Sequence, residues 1–528
     1  MDPSVGWLWD ACDVVGTIAL YRLVISPAMK WGAYALGSGK FPATGSNGLY
    51  PNAAMPGHGA IRTALAFLPL TAIALTLGRT PDAPASWVST AALAAVLWKC
   101  LTFDYDASRD LSWQRADRVL IAAIGGAALF WPQYDMLALV LLCGRLGAWT
   151  HHSKAAIRIL KITFAWSVTA GIHEHLARRG APTDDSVLLV LIGAVFLSHY
   201  VVACVSKLRL GPRPWDWVTK NRTDHLVASA YSWGWARFLT ERQVRRILRP
   251  LAAVAVWLNA GTVIAEGLGF AAFLSRGLTI AAISIAVVFN LVVFATSGIF
   301  FWENMTVGIA LIAALAATPA PAYGVESWLI TMAVLLAVLS GLVWRPSKLG
   351  WWDTPFVARV YWTGRTSTGE VYEIHNGFMS PFDREFSRMR GYVLTDEEFV
   401  TFPLGGVEDA DIRDRLNGLR LDGEDLVEIK REYGRVHRND EDRALHVSYL
   451  RKLFARLNEG VPKSPLPRFL RWLKAPGGHL YYWGELPAYR LDRGPLEAVQ
   501  IRYQEIYYQS GRQSWVRLRD ELVLDVNV

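Results

Sequence analysis

Charge is what this chain has least of: 19% of its 528 residues are Asp, Glu, Lys or Arg, while 52% are apolar and 12% aromatic, giving a mean hydropathy of +0.22. That balance excludes an ordinary soluble globule, a disordered chain and a fibrous repeat. Cysteine is scarce too. The four present, Cys12, Cys100, Cys143 and Cys204, lie in or beside apolar segments without Cys-x-x-Cys spacing, which argues against a disulfide scaffold or a cysteine-bound zinc. The N-terminus lacks the basic start of a cleavable signal peptide, and Asp2, Asp10 and Asp13 make it acidic. The first hydrophobic helix is therefore expected to act as its own insertion signal. No repeat of fixed period and no low-complexity segment is visible.

What charge there is has a pattern. From Arg345 onward 28 basic residues balance 28 acidic ones, so the net +8 belongs to residues 1–344. A nucleic-acid-binding protein would concentrate positive charge on a soluble face, and here the soluble-looking part is neutral. Between Lys207 and Arg249, ten Lys/Arg stand against Asp216, Asp224 and Glu241, a surplus of seven in one loop. The positive-inside rule places that loop in the cytoplasm. It either sets topology and touches lipid headgroups, or draws an anionic substrate or lipid to the mouth of the bundle.

A hydrocarbon core about 30 Å thick needs about 20 apolar residues per helix. Windows at 14–36, 60–78, 85–103, 119–149, 155–175, 187–206, 250–274, 278–302, 305–319 and 325–344 give eight to ten spans. Pro132 and Asp135 interrupt 119–149, which reads as one kinked span, two short ones or a re-entrant pair. Residues 37–59, rich in Gly, Pro and Asn, read as a loop. The predicted fold is thus a polytopic α-helical membrane bundle over 1–344 followed by a soluble α+β domain over 345–528. In the latter, Val357–Tyr361 and Glu370–His375 alternate like strands, and Asp442–Leu457 has the spacing of an amphipathic helix. Leu496–Tyr508 and Ser514–Val526 read as a closing hairpin. Four spans after the basic loop would bring this domain out on the loop's own side; a half-buried 305–319 would put it on the other.

Ionisable groups inside spans are costly and point to function or to pairing. Lys207 ends the span 187–205, and Tyr200, Cys204 and Lys207 share a helix face. Lys207 is either a terminal lysine reaching for the interface, or an amine short of water beside Arg209 and so available as a neutral base or nucleophile. His151-His152 and His173-Glu174-His175 bracket the span 155–175, about 32 Å apart on a continuous helix, so they fall at opposite faces of the bilayer and form no single metal site. They read as helix-end polar groups, and His152 alone remains open as acid, base or hydrogen-bond donor. Asn259 and Glu266 share a face of the span 250–274. Glu266 either pairs with an in-membrane cation such as Arg22 or lines a cavity, and Asn290 is open as helix–helix glue. The Asn-x-Thr matches at Asn221 and Asn304 are weak glycosylation signals.

These residues carry a likeness. The run Ala19-Leu20-Tyr21-Arg22-Leu23, the span 188–210 with Tyr200 through Lys207-Leu208, Trp215-Asp216-Trp217, Ala265-Glu266-Gly267-Leu268, Phe289-Asn290 and Gly298-Ile299-Phe300-Phe301 follow one another along the chain. In that order they resemble the vitamin K-dependent gamma-carboxylase-like superfamily, the horizontally transferred transmembrane (HTTM) domain. Tyr372 to Arg390, which contains Asn376 to Arg384, also looks like the joining segment of its bacterial members. The likeness spans about residues 15–400, with specific matches over some 60 of them.

The resemblance implies a carboxylase/epoxidase-like enzyme of the bacterial cell (inner) membrane, using a reduced quinone of the vitamin K hydroquinone kind and no metal. Lys207 would be the base that deprotonates the hydroquinone. Oxygen then yields a ring alkoxide that removes a proton from a glutamate gamma-carbon, and the carbanion takes up carbon dioxide with release of the epoxide. His152, in His151-His152-Ser153, would answer the family's histidine before serine, and Tyr200, Glu266 and Asn290 would meet the cofactor. A second family histidine falls on Asn290, which donates a hydrogen bond but does not titrate. Some bacterial members instead partner peptide toxins. A non-catalytic scaffold or immunity-type partner of a peptide or membrane protein therefore stays open, as does a transporter, although no internal duplication supports the latter. The expected partners are the lipid bilayer and a polypeptide, with no nucleic acid.

Overall fold

The computed structural model describes residues 6–27, 67–108, 111–146, 152–176, 185–318, 346–375, 378, 391–420, 424–481 and 484–528. The expected loop 37–59, the expected span 325–344, His151 and most of the 372–390 likeness lie outside the described residues.

The N-terminal region is helical. Its helices are α1 (Gly6–Ala19, continuing in a π-helical turn Leu20–Ile25), α2 (Leu68–Leu77), α3 (Ala83–Thr102), α4 (Leu111–Ala128), α5 (Asp135–Leu146) and α6 (Lys154–Leu176). They are followed by α7 (Asp185–Leu208), α8 (Asp216–Lys220), α9 (Thr223–Trp233), α10 (Glu241–Gly267), α11 (Arg276–Ser297) and α12 (Trp302–Ala317). Five stretches, α3, α6, α7, α10 with its continuation to Phe270, and α11, are long and apolar enough to cross a membrane; α2 and α12 are shorter apolar helices. These five suggest an integral membrane protein, with the bilayer as its surroundings. The expected 119–149 span is broken, with α4 and α5 meeting at a 3₁₀ turn over Pro132–Tyr134. The proline that cannot donate a backbone hydrogen bond sits where the helix stops.

α7 is central, 83% buried over its most apolar window, whereas α10 is 17% buried. The side chains of α10 are distributed inside-out: Val254, Val256, Trp257 and Ile264 are exposed while Asn259 and Glu266 are buried. Such an arrangement suits a helix with lipid on its apolar side and polar groups turned to the protein. Local signals set the ends. Thr240 and Gln243 form a reciprocal capping box on α10, Ser275 caps α11, and Gly298 closes α11 with φ +73°.

The C-terminal region contains antiparallel sheets and helices. Its strands are β1 (Trp352–Asp353), β2 (Phe356–Thr366), β3 (Val371–Ile374), β4 (Glu398–Phe399), β5 (Gly406–Val407), β6 (Arg435–Val436), β7 (Leu496–Gln509) and β8 (Ser514–Asn527). The main sheet runs β3-β2-β7-β8, and α13 (Ala410–Asn417), α14 (Glu424–Tyr433) and α15 (Asp440–Asn458) accompany it. The strands expected at 357–361 and 370–375, the helix at 442–457 and the terminal hairpin are all present, the hairpin pairing Gln509 with Ser514.

Helix ends sort into two levels. At one, Arg79 bridges Glu174 at 3.0 Å and Asp185 at 3.3 Å, and His173 meets Asp13 at 3.2 Å. At the other, the C-terminal region packs on the loop between α7 and α10. Trp515 Nε1 donates to Ala228 O at 3.2 Å, His225 Nε2 lies 2.9 Å from Ser510 Oγ, and Arg359 donates to the Ser232 carbonyl. The basic loop and the C-terminal region therefore share a side, and α6, with His152 before its start and His173 near its end, keeps the two histidine clusters apart.

Candidate functional site

At the level of the C-terminal region, α6, α7, α10 and α11 enclose a cavity of about 580 Å³. Its walls are mostly apolar, with Trp257, Ile285, Val288 and Phe289 among them, and Lys207, Glu266, Tyr200, Asn290 and His152 all line it. All five site residues expected from the sequence thus come together in one space, from four helices or their ends.

Lys207 closes α7 and Glu266 closes α10. Nζ of Lys207 donates to Glu266 Oε1 at 2.6 Å and Oε2 at 2.8 Å, and to the backbone oxygen of Leu349 at 3.0 Å. The Trp217 ring lies 5.5 Å from the ammonium. The expected partner of Glu266, Arg22, is exposed in the π-helical turn, and the cation Glu266 meets is Lys207. The reason is positional: residues 207 and 266 end helices that pack together, at the same level. Arg209, which the sequence set beside Lys207, is exposed, so the neighbour that governs Lys207 is an anion rather than a second cation.

Deeper in, Asn290 Nδ2 donates to the Tyr200 hydroxyl at 2.7 Å, and Tyr200 also engages the Asn304 side chain. Asn304 lines the cavity, and its Oδ1 has no hydrogen-bond partner among the described residues. Cys204, on the same helix face as Tyr200 and Lys207, packs instead on α10, its thiol 3.5 Å from Val263 O. Asn259 is a structural tie: its amide donates to Val218 O and Asn221 O and its oxygen accepts from Thr223. Asn221, one of the Asn-x-Thr positions, is buried and exchanges two 2.8 Å hydrogen bonds with Asp353.

The sequence missed several neighbours. Gly478 and His479 approach from the C-terminal region, where Ile299 and His479 form a two-residue bridge that sets His479 Nδ1 3.4 Å from His152 Nε2. Glycine at 478 lets the two approach, because an added Cβ would stand 2.6 Å from the His152 ring and displace it. Lys99 and Glu303, both fully buried, form an ion pair that Ser153 joins at 3.3 Å. Asp353 and Trp351 line the cavity mouth from β1 and the linker before it. Burial pushes the Asp353 carboxyl up to about 6 despite hydrogen bonds from Asn221 and Trp351. The signal for this wall was the Trp351-Trp352-Asp353 run, in which Trp351 and Asp353 face the cavity and Trp352 is buried in the core of the C-terminal region.

Among the described residues, no three His, Cys, Asp or Glu side chains gather as a metal site. Cys12, Cys100 and Cys204 are free thiols. The architecture defines a class, a helical membrane bundle carrying an α+β region over a polar-mouthed cavity. Comparison with family models, with curated proteins and with solved structures finds no match.

Proposed function

We propose that the chain is a cell-membrane enzyme of the carboxylase/epoxidase-like kind, whose cavity takes a reduced, quinone-like ligand with Lys207 as base. The observation that supports this best is the convergence of a lysine–carboxylate pair, a tyrosine, an asparagine pair and a histidine on one apolar space of about 580 Å³. That volume lies within the usual range for small-molecule sites. The Asn304 Oδ1 without a partner is an acceptor suited to a ligand hydroxyl, and Phe289 and Val288 suit a ring face. A bound hydroquinone would supply the reducing power and the reactive ring oxygen.

The chain's own residues would handle protons. Transfer of one proton from Nζ to Glu266 across the 2.6 Å hydrogen bond leaves a neutral amine and a carboxylic acid. The amine then has a lone pair for a hydroxyl proton from the ligand. Tyr200, fixed by Asn290, orients, and His152 with His479 stands where the ligand's far oxygen or a second substrate would sit. The polypeptide partner would be cytoplasmic, because the basic loop shares the side of the C-terminal region.

A second reading rests on one specific feature. Lys207 spends its hydrogen bonds on Glu266 and Leu349 O, pinning α7, α10 and the linker together, as a non-catalytic scaffold or immunity-type partner would use it. Photo-crosslinking with a diazirine-bearing naphthohydroquinone distinguishes the two. The enzyme reading expects label on 257–266 and 285–293, competed by unlabelled hydroquinone; absence of competable label in the bundle overturns it.

A further inference from the structure

We propose that Arg468–Leu473 is an interfacial anchor, by which the C-terminal region rests on the anionic lipid headgroups of the leaflet on its own side. The sequence Arg-Phe-Leu-Arg-Trp-Leu forms a 3₁₀ helix. Three residues per turn make positions i and i+3 eclipse, so six residues sort into three two-residue stripes. Leu470 and Leu473 form the half-buried stripe toward the protein. Phe469 and Trp472 form a second, 75% and 76% exposed. Arg468 and Arg471 form the third, exposed and without an ion pair among the described residues.

Two large aromatics this exposed on a water-facing helix would be a liability, so the surroundings matter. The segment is tied to the end of a candidate span. Trp98 Nε1 in the last turns of α3 donates to Leu473 O at 2.7 Å, and Ala475 N donates to Thr102 Oγ1 at 3.0 Å. Trp302 Nε1, at the start of α12, donates to Pro476 O at 3.3 Å, and its ring meets that of Trp98 at 5.1 Å. Lys474 and Lys463 hold Asp104, two residues beyond α3. The stripe of Phe469 and Trp472 is therefore held at the level where the bundle leaves the hydrocarbon, beside a tryptophan pair of the kind that populates that boundary. Aromatics for the interface and arginines for phosphates are the chemistry of a membrane-surface anchor, and continuity with the spanning helices fixes a bilayer as occupant.

Spin labels at Phe469→Cys and Trp472→Cys test this in the full chain, with the four native cysteines replaced and the protein reconstituted into phosphatidylcholine vesicles containing phosphatidylglycerol. A label at Arg512→Cys, on the β7–β8 turn, is the reference. The anchor predicts that both sites collide more with oxygen and less with a water-soluble nickel chelate than Arg512→Cys does. It also predicts a smaller contrast in pure phosphatidylcholine, and loss of that lipid dependence in the Arg468→Gln/Arg471→Gln variant. Chelate access equal to the reference would overturn the proposal, as it would if these aromatics served a protein partner. In the unsubstituted chain a lipid-soluble diazirine should label Phe469 and Trp472; labelling confined to the spanning helices would also overturn it.

Discussion

Lys207 and Glu266, 59 residues apart, meet through two hydrogen bonds of 2.6 and 2.8 Å at the mouth of the cavity. Both side chains are largely buried, so removing either one strands the other's charge, a loss on the order of 3–5 kcal/mol. Glu266→Ala and Lys207→Ala should each lower resistance to unfolding by dodecyl sulfate in mixed micelles, while Lys207→Met/Glu266→Leu recovers most of it. Additive losses in the double variant would show that the two groups are not coupled.

Gly350 sets how closely the linker lies on Lys207. A Cβ there would stand 2.8 Å from the Ser206 carbonyl carbon and 3.0 Å from Lys207 N, both backbone atoms that do not yield. Gly350→Ala is expected to cost about 1–3 kcal/mol and to lift Leu349 O from the ammonium. Acylation of Lys207 by a small amine reagent, followed by mass spectrometry, should then speed up; an unchanged rate would mean that the linker does not cover the lysine.

Two buried groups at the junction of loop and C-terminal region oppose one another in pH. Asp353, pushed up to about 6 by burial, holds a proton in the folded chain that the unfolded chain releases near 3.8. Its contribution is fully present below 3.8 and lost as pH rises through about 6. His225, drawn down to about 4 chiefly by burial, contributes stability above 6.5 that is lost as pH falls through about 4. Relative to the parent, Asp353→Asn should therefore lose melting temperature between about pH 7 and 4.5, and His225→Phe should gain it. Parallel profiles for all three proteins would contradict this assignment.

The shared side of the basic loop and the C-terminal region makes topology testable without knowing any substrate. Reporters fused near Thr219 and at Val528 should give the same, cytoplasmic signal. Opposite signals would contradict the packing of Trp515 and His225 across that junction.

The helices and the C-terminal hairpin were legible because each depends on local periodicity, and the 3.6-residue face that joins Tyr200 to Lys207 is such a pattern. The partner of Glu266 was not, because no spacing within one helix encodes which cation another helix brings to its level; the sequence suggested Arg22, and the structure supplies Lys207. Lys99, near the end of an apolar span, went unremarked in the sequence because its burial comes from packing against Glu303 of α12. His479 was invisible for a further reason: it belongs to an irregular stretch whose approach to His152 depends on the small size of Gly478.

The central claim, that Lys207 is a base acting on a hydroquinone within this cavity, is tested most directly by turnover. Purified protein in lipid, given vitamin K hydroquinone, oxygen and labelled carbon dioxide, is predicted to form the epoxide, and Lys207→Ala is predicted to abolish it. Absence of both epoxide and labelled product from the unsubstituted protein, or epoxide formation undiminished in Lys207→Ala, would contradict the account.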